Sequence, residues 1–252
     1  MVLSIVIFIG PAGAGKSSLV AAFSRWLEDL GLRSFKVNLD PAADYVPYTP
    51  DYDIRKLVNA RDIAVRYGLG PNGALVKSIE IITDNLGDIV NELRGVETDF
   101  VLIDTPGQME VFIFRDIAPR LVESLRSISD RIAAVFVVDA TLIRNPEDYA
   151  FLAVMSIALQ LRLGLDVVPV INKIDLVPNI DLAGDVVSDV VKVREALKYR
   201  GLYGEMMVQI LDTVWLYGKA ARVPRISAMR SEGLDELYRL IHEITCSCGD
   251  LT

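Results

Sequence analysis

The chain has almost no cysteine and almost no histidine. Its two cysteines, Cys246 and Cys248, stand one residue apart near the C-terminus, and His242 is its single histidine. Adjacent thiols of this kind make a poor structural disulfide, and two ligands cannot close a tetrahedral zinc site alone. A disulfide framework and a self-contained zinc site therefore drop out. A reduced tail, or a metal shared between two copies, is left for the thiols, and the cytoplasm is the expected compartment. His242 lies far from every motif below and is expected on the surface or in packing. Basic excess is missing too: 26 Lys and Arg stand against 34 Asp and Glu, a net charge of −8. That balance argues against a general nucleic-acid binder, so no direct nucleic-acid contact is expected. No apolar run approaches the roughly 18 residues of a membrane span, and no membrane partner is expected. The start Met1-Val2-Leu3-Ser4 lacks a basic region and a cleavage site and reads as strand, not signal peptide. Repeats, low-complexity tracts and Ser/Gly linkers are absent as well.

What is present is globular. The 252 residues are 52% hydrophobic and 24% charged, enough for one large α/β domain with a full core. Strand and helix patterns alternate along the chain, which implies a doubly wound, mostly parallel sheet with helices on both faces. One domain is expected over 1–245, followed by a short tail, 246–252. Expected strands cover 2–9, 34–39, 99–104, 132–139, 166–171 and 222–226. Leu57, Val58, Ile63, Ala64 and Tyr67 suggest an amphipathic helix, further helices are expected at about 73–86, 88–94, 110–125, 145–163, 181–199 and 203–217, and Leu234, Leu237, Ile241 and Ile244 mark the final one. The stretch 45–97 is long for a simple crossover and reads as a helical insertion carrying a lid or an interface.

Chemistry concentrates at the ends of the expected strands. Gly10-Pro11-Ala12-Gly13-Ala14-Gly15-Lys16-Ser17 follows Val6-Ile7-Phe8-Ile9 and precedes a helical pattern. This is the context that the phosphate-binding pattern G-x-x-x-x-G-K-[S/T] requires. Gly13, Ala14, Gly15 and the helix start through Ser18 would turn backbone N–H groups toward an anion. Lys16 would reach the β- and γ-phosphates of a nucleoside triphosphate, and Ser17 would place its hydroxyl on Mg²⁺. Asp40 ends the second strand before Pro41, where a carboxyl end faces the ligand crevice. It reads either as a phosphate-facing group or as a turn aspartate. Asp104-Thr105-Pro106-Gly107 fits D-x-x-G: Asp104 would accept from a water on Mg²⁺, and the Gly107 N–H would reach the γ-phosphate. Asn172-Lys173-Ile174-Asp175 fits N-K-x-D. The Asp175 carboxylate can accept from both guanine N1–H and N2–H₂, which adenine does not offer. The Lys173 stem would cover the base, and Asn172 would tie this loop to the phosphate loop. Ser227-Ala228 follows the last strand, where a backbone N–H would meet guanine O6.

These motifs, with Asp40-Pro41-Ala42 and Gly70-Pro71-Asn72 in order between them, closely resemble the GPN-loop GTPases, and an archaeal-type member in particular. The resemblance runs from the first strand to the last helix. It implies the dimeric GTPase branch of the P-loop NTPase fold and a GTP/GDP cycle with Mg²⁺. It also implies a homodimer whose Gly70-Pro71-Asn72 loop crosses the interface, so that Asn72 acts in the partner's site. Asn72 also reads as a helix N-cap. The resemblance further implies that Asp40, Gln108 and Glu110 orient the attacking water, and it suggests a protein client, by analogy the transcription machinery. An assembly chaperone in which hydrolysis is incidental is the alternative. Met206, Met207, Ile210, Leu211, Val214 and Trp215 read either as its adaptable surface or as core packing.

Overall fold

A computed structural model describes residues 3–177, 186–217 and 223–245. The two cysteines, the tail 246–252 and Arg222 lie outside the described residues. The chain opens on β1 (Ser4–Ile9), every residue of which is buried. Such a strand needs cover on both faces and a neighbour on both edges. It pairs in parallel with β4 (Phe100–Asp104) and β5 (Ile132–Asp139). Outward from β4 lie β2 (Ser34–Asn38) and β3 (Tyr52–Asp53). Outward from β5 lie β6 (Val167–Asn172) and β7 (Arg225–Ile226). The described sheet has seven strands in the order β3-β2-β4-β1-β5-β6-β7, all parallel.

The alternation of side chains along β1 builds two cores. Ile5, Ile7 and Ile9 pack with Val37, Val101, Ile103 and Ala134. Val6 and Phe8 point the other way and pack with Leu102, Val135 and Val137. The second face is covered by α1 (Lys16–Asp29) through Leu19, Phe23 and Leu27, and by α10 (Leu234–Thr245) through Leu237 and Ile241. His242 lies exposed on α10, at the surface, with its ring 6.2 Å from that of Tyr238. The first face carries α2 (Ala60–Tyr67), α3 (Pro71–Asp84), α4 (Leu86–Arg94), α5 (Met109–Ile113), α6 (Ile117–Leu125), α7 (Pro146–Leu163), α8 (Val186–Leu197) and α9 (Gly201–Tyr217).

Several expectations change. The two-residue strand β3 was not expected; it extends the sheet beyond β2. Within the stretch read as an insertion, α3 and α4 bury Leu75, Ile79, Ile82, Ile89 and Val90 in the first core, a detail added to that reading. The longest unbroken exposed run of that stretch is 65–73. The helix expected over 110–125 is two helices. Phe114, placed on its apolar face by periodicity, sits in the break and is 72% exposed. Leu57 falls outside the core, at 50% exposed, because the chain breaks at Asn59, which caps α2 by accepting from the Arg61 N–H at 2.9 Å; Tyr67, the last residue of α2, is 48% exposed. The methionine-bearing face of α9 divides: Leu211 is buried, Met207 packs partly against the core, and Met206 is exposed. The Val214 and Trp215 side chains lie outside what is described.

Candidate functional site

The sheet is parallel, so the carboxyl ends of its strands all open on one edge. β1 runs into Gly10–Ser17, β2 into Asp40, β4 into Asp104, β6 into Asn172 and β7 into Ser227. The topology thereby collects residues from across the chain at the place where such folds bind ligands.

The loop before α1 is shaped for an anion. Gly13 and Gly15 adopt left-handed backbone at φ 78° and 88°, and Gly15 caps the helix. The first turn of α1 holds no acidic residue and receives no side-chain cap, which leaves its N–H groups for a ligand. A Cβ on Gly15 would lie 2.5 Å from Asn172 Nδ2, and one on Gly10 would lie 2.3 Å from the Val137 carbonyl oxygen. Only glycine permits these approaches. Lys16 is buried, and its Nζ donates to the Gly10 and Pro11 carbonyls at 2.9 and 3.2 Å. Burial lowers its pKa, against the opposing pull of Asp104 and Asp40. The ammonium is folded onto its own loop, next to where phosphates would sit.

Asp104 lies beneath it, 1% exposed. Its Oδ2 accepts from the Tyr48 hydroxyl at 3.0 Å, while its Oδ1 has no hydrogen-bond partner. Burial pushes its pKa up to about 6, although Ser17, Lys16 and Tyr48 draw it back down. Tyr48 is raised in turn, by burial first and then by the charge of Asp104. Asp40 sits across from Gly107: Oδ2 accepts from the Gly107 N–H at 3.3 Å, and Oδ1 accepts from the Ala42 N–H at 2.9 Å. Burial raises the Asp40 pKa, and these N–H groups and Lys16 oppose it. Asp40 is thus a turn aspartate whose second oxygen reaches the Asp104–Gly107 loop. It also occupies the N–H expected for a γ-phosphate. Thr105 anchors the loop by donating from its hydroxyl to the Phe8 carbonyl at 2.7 Å.

A buried carboxylate with an orphaned oxygen, beside the Ser17 hydroxyl, is an all-oxygen donor set that suits Mg²⁺. Among the described residues no group of three or more His, Cys, Asp or Glu could hold a metal ion. An ion here would share its coordination with phosphate oxygens and water, as Mg²⁺ commonly does.

The base side is built on Asn172, 1% exposed. Its Nδ2 donates to the Ala14 carbonyl at 3.0 Å, and its Oδ1 accepts from the Ala228 N–H at 3.2 Å. The expected tie to the phosphate loop is thus present, and it extends to Ser227-Ala228. Lys173 takes a left-handed backbone, φ 66°, rare for a residue with a side chain. Its Nζ pairs with Asp139 Oδ2 at 2.7 Å. Burial would raise Asp139, but Lys173 and Thr141 together hold it below the ordinary carboxylate range. Asp175 accepts from the fully buried Ser227 hydroxyl at 2.6 Å through Oδ1, which leaves Oδ2 for a base.

Three expected residues stand apart from this network. Gln108 is half-buried at the start of α5, and Glu110 is exposed in its first turn. Asn72 is exposed and is not the N-cap of α3: that position is Gly70, with Pro71 first in the helix and Asn72 second. Proline favours the first helical position, and this moves the boundary forward. Tyr48 and Asp139 were not foreseen as site residues. Asp139 carried a signal, since it closes a buried strand on the ligand edge. Tyr48 carried none, because its partner is 56 residues away.

Comparison with known proteins adds the following. A family described as "conserved hypothetical ATP binding protein" matches residues 8–247. The chain is 35% identical over 260 residues to GPN-loop GTPase PAB0955 of Pyrococcus abyssi, covering 98% of this chain and 100% of that protein. The crystal structure of that GTPase in apo form superposes with a TM-score of 0.81 at 32% identity, covering 97% of this chain and 98% of the other. GPN-loop GTPase 3 of Gibberella zeae is 35% identical over 173 residues, which is 67% of this chain and 58% of that one. GPN-loop GTPase 1 of Dictyostelium discoideum is 29% identical over 240 residues, 94% of this chain and 60% of that one.

Proposed function

This chain belongs to the family of GPN-loop GTPases, and on that premise we propose that it works as a Mg²⁺-dependent homodimer whose GTP cycle reshapes two switch segments. GTP is its substrate, and hydrolysis to GDP and phosphate its reaction. The observation that carries the reading is Asn172, which bonds the phosphate loop at Ala14 and the Ser227-Ala228 turn at once. Guanine selection and phosphate holding thereby share one seat. Asp175 accepts from the base, and the stem of Lys173 lies along it. Gly13 to Ser18 and Lys16 hold the phosphates.

Mg²⁺, when bound, supplies charge neutralisation of the β- and γ-phosphates. Ser17 and Asp104 would hold it. The chain's own groups do the placing that phosphoryl transfer needs. Asp40 and Gln108 orient water, with Glu110 from the same helix start. A γ-phosphate would compete with Asp40 for the Gly107 N–H, so its arrival and departure would move the switches near 40–52 and 104–112 against each other. Asn72, unpaired with this network and exposed at the head of α3, is free to serve a partner's site. No helix among the described residues is long and apolar enough to cross a membrane. A protein client fits the exposed Tyr199, Leu202, Tyr203 and Met206 around the start of α9.

The test is a steady-state comparison of nucleotides. GTP is expected to be used at least tens of times more efficiently than ATP, the scale that unpaired polar groups impose. Equal use of the two would sink the guanine assignment. Asn72→Ala is expected to lower kcat several-fold while GDP affinity stays the same. Mixed dimers of Asn72→Ala and Asp40→Ala subunits should then recover one working site, and a verified mixed dimer without recovery would count against action across the interface.

A further inference from the structure

The loop 40–44 hangs between two supports. Asn38, fully buried at the end of β2, accepts from the Asp40 N–H at 3.0 Å and donates from Nδ2 to Asp53 Oδ1, also at 3.0 Å. Asn38 and Asp53 are register partners of β2 and β3, so their side chains meet on one face of the sheet. Asp53 is gripped by Arg55, with Nε 2.9 and 3.1 Å from its two oxygens and Nη2 2.7 Å from Oδ2. The same guanidinium reaches back with Nη1 to the Ala43 and Asp44 carbonyls, at 3.0 and 3.4 Å. The side chains of Arg55 and Asp53 are 22% and 13% exposed. These charge-assisted bonds are therefore largely shielded, and such bonds are about twice as strong as neutral ones.

We propose that Arg55 is a positioning residue for hydrolysis, acting through Asp53 and Asn38 on the loop that carries Asp40. One end of the clamp holds the N–H of Asp40, and the other holds the carbonyls that end its turn. An ion pair that only fastened β3 to the sheet would need the Asp53–Arg55 contact alone. The two bonds to Ala43 and Asp44 do nothing for β3 and fix the loop instead. The Arg55 guanidinium is engaged by Asp53, Ala43 and Asp44 of its own chain, which assigns it to holding the loop. Its planar fork also serves a carboxylate and two carbonyls together, which a lysine ammonium cannot do in one geometry. The proposal rests on the reading of Asp40 as a water-placing group, because a misplacement of about 1 Å at such a group can slow a reaction roughly 100-fold.

The experiment uses the full chain and four variants: Arg55→Ala, Arg55→Lys, Asp40→Ala and the double Asp40→Ala/Arg55→Ala. Hydrolysis of Mg²⁺-GTP, affinity for a fluorescent GDP and thermal melting are measured for each. Arg55→Ala is expected to lower kcat about tenfold with KM and GDP affinity within about twofold. Arg55→Lys should recover part of the loss, and it carries the test if the alanine variant does not fold. The double variant should be no slower than Asp40→Ala. A double variant slowed by a further tenfold, or a loss lying wholly in KM, would overturn the role of Arg55. So would a normal kcat in Arg55→Ala beside a slow Asp40→Ala. A wild-type rate in Asp40→Ala would instead remove the reading of Asp40 itself, and the proposal with it.

Discussion

An Asp175→Asn variant is expected to lose guanosine nucleotides and gain xanthosine nucleotides. Ser227 makes this sharper than a simple loss of charge. Its hydroxyl donates to Asp175 Oδ1 at 2.6 Å and is itself fully buried. In the variant the same hydroxyl needs an acceptor, so it keeps the amide oxygen and turns the amide nitrogen toward the base. Guanine would then face a donor with its own N2–H₂ donor. Xanthine, which carries an oxygen there, would find a partner. Hydrogen bonds to charged groups contribute about 1.5–3 kcal/mol each. Losing one and opposing another should weaken GDP by roughly 100-fold or more. Competition binding of GDP against xanthosine diphosphate reads the result, and an unchanged preference would remove Asp175 from the base site. Folding should be untouched, because Asp175 lies in a half-buried turn after β6.

Asp104→Asn should separate stability from activity. The carboxyl is 1% exposed, leaves Oδ1 unpaired and titrates near 6 instead of the ordinary 3.8, with burial as the main cause. A carboxyl raised in the folded state binds its proton more tightly there than in the unfolded chain. Ionisation then costs folding nothing below about pH 4, a growing amount between 4 and 6, and the full amount above 6. Each unit is about 1.4 kcal/mol, so the burden at neutral pH is at most about 3 kcal/mol. Asparagine removes the charge and offers a donor. The nucleotide-free variant in chelator is therefore expected to melt higher at pH 7.5 by about 2–4 °C per kcal/mol gained. That advantage should fade near pH 4.5. Hydrolysis should fall by about three orders of magnitude, since the group meant to face the metal has lost its charge. A variant that is both less stable and fully active would contradict the placement of Asp104.

How much of this was readable beforehand depends on how far apart the partners lie in the chain. Gly10–Ser17, Asp104–Gly107 and Asn172–Asp175 are local devices: each needs a strand end, a turn and a few fixed residue types, and all three sit where the pattern placed them. The contacts that join them are not local. Tyr48 meets Asp104 across 56 residues, and Lys173 meets Asp139 across 34. Asn38 and Asp53 become neighbours only because β3 adds to the sheet edge. A two-residue strand carries too little alternation to be noticed. Periodicity also misled where it was smoothest. The apolar spacing through Phe114 suggested one helix, yet the chain turns there between α5 and α6. The family resemblance named Asp40 and Gln108, but it did not show that Asp40 already holds the N–H of Gly107.

The contact of Gly15 with Asn172 has a mechanical consequence. With no room for a side chain between them, and with Asn172 also fastened to Ala14 and Ala228, one wall of the nucleotide cleft is a single stiff piece. It cannot gape without breaking buried bonds. In the proposed cycle, exchange of GDP for GTP would fall to the opposite wall, where the 40–48 segment leans on Gly107 and Asp104 through hydrogen bonds of 3.3 and 3.0 Å. The wall that joins the phosphate loop to the Asn172 loop is the fixed one, and the 40–48 segment is the latch of the proposed cycle.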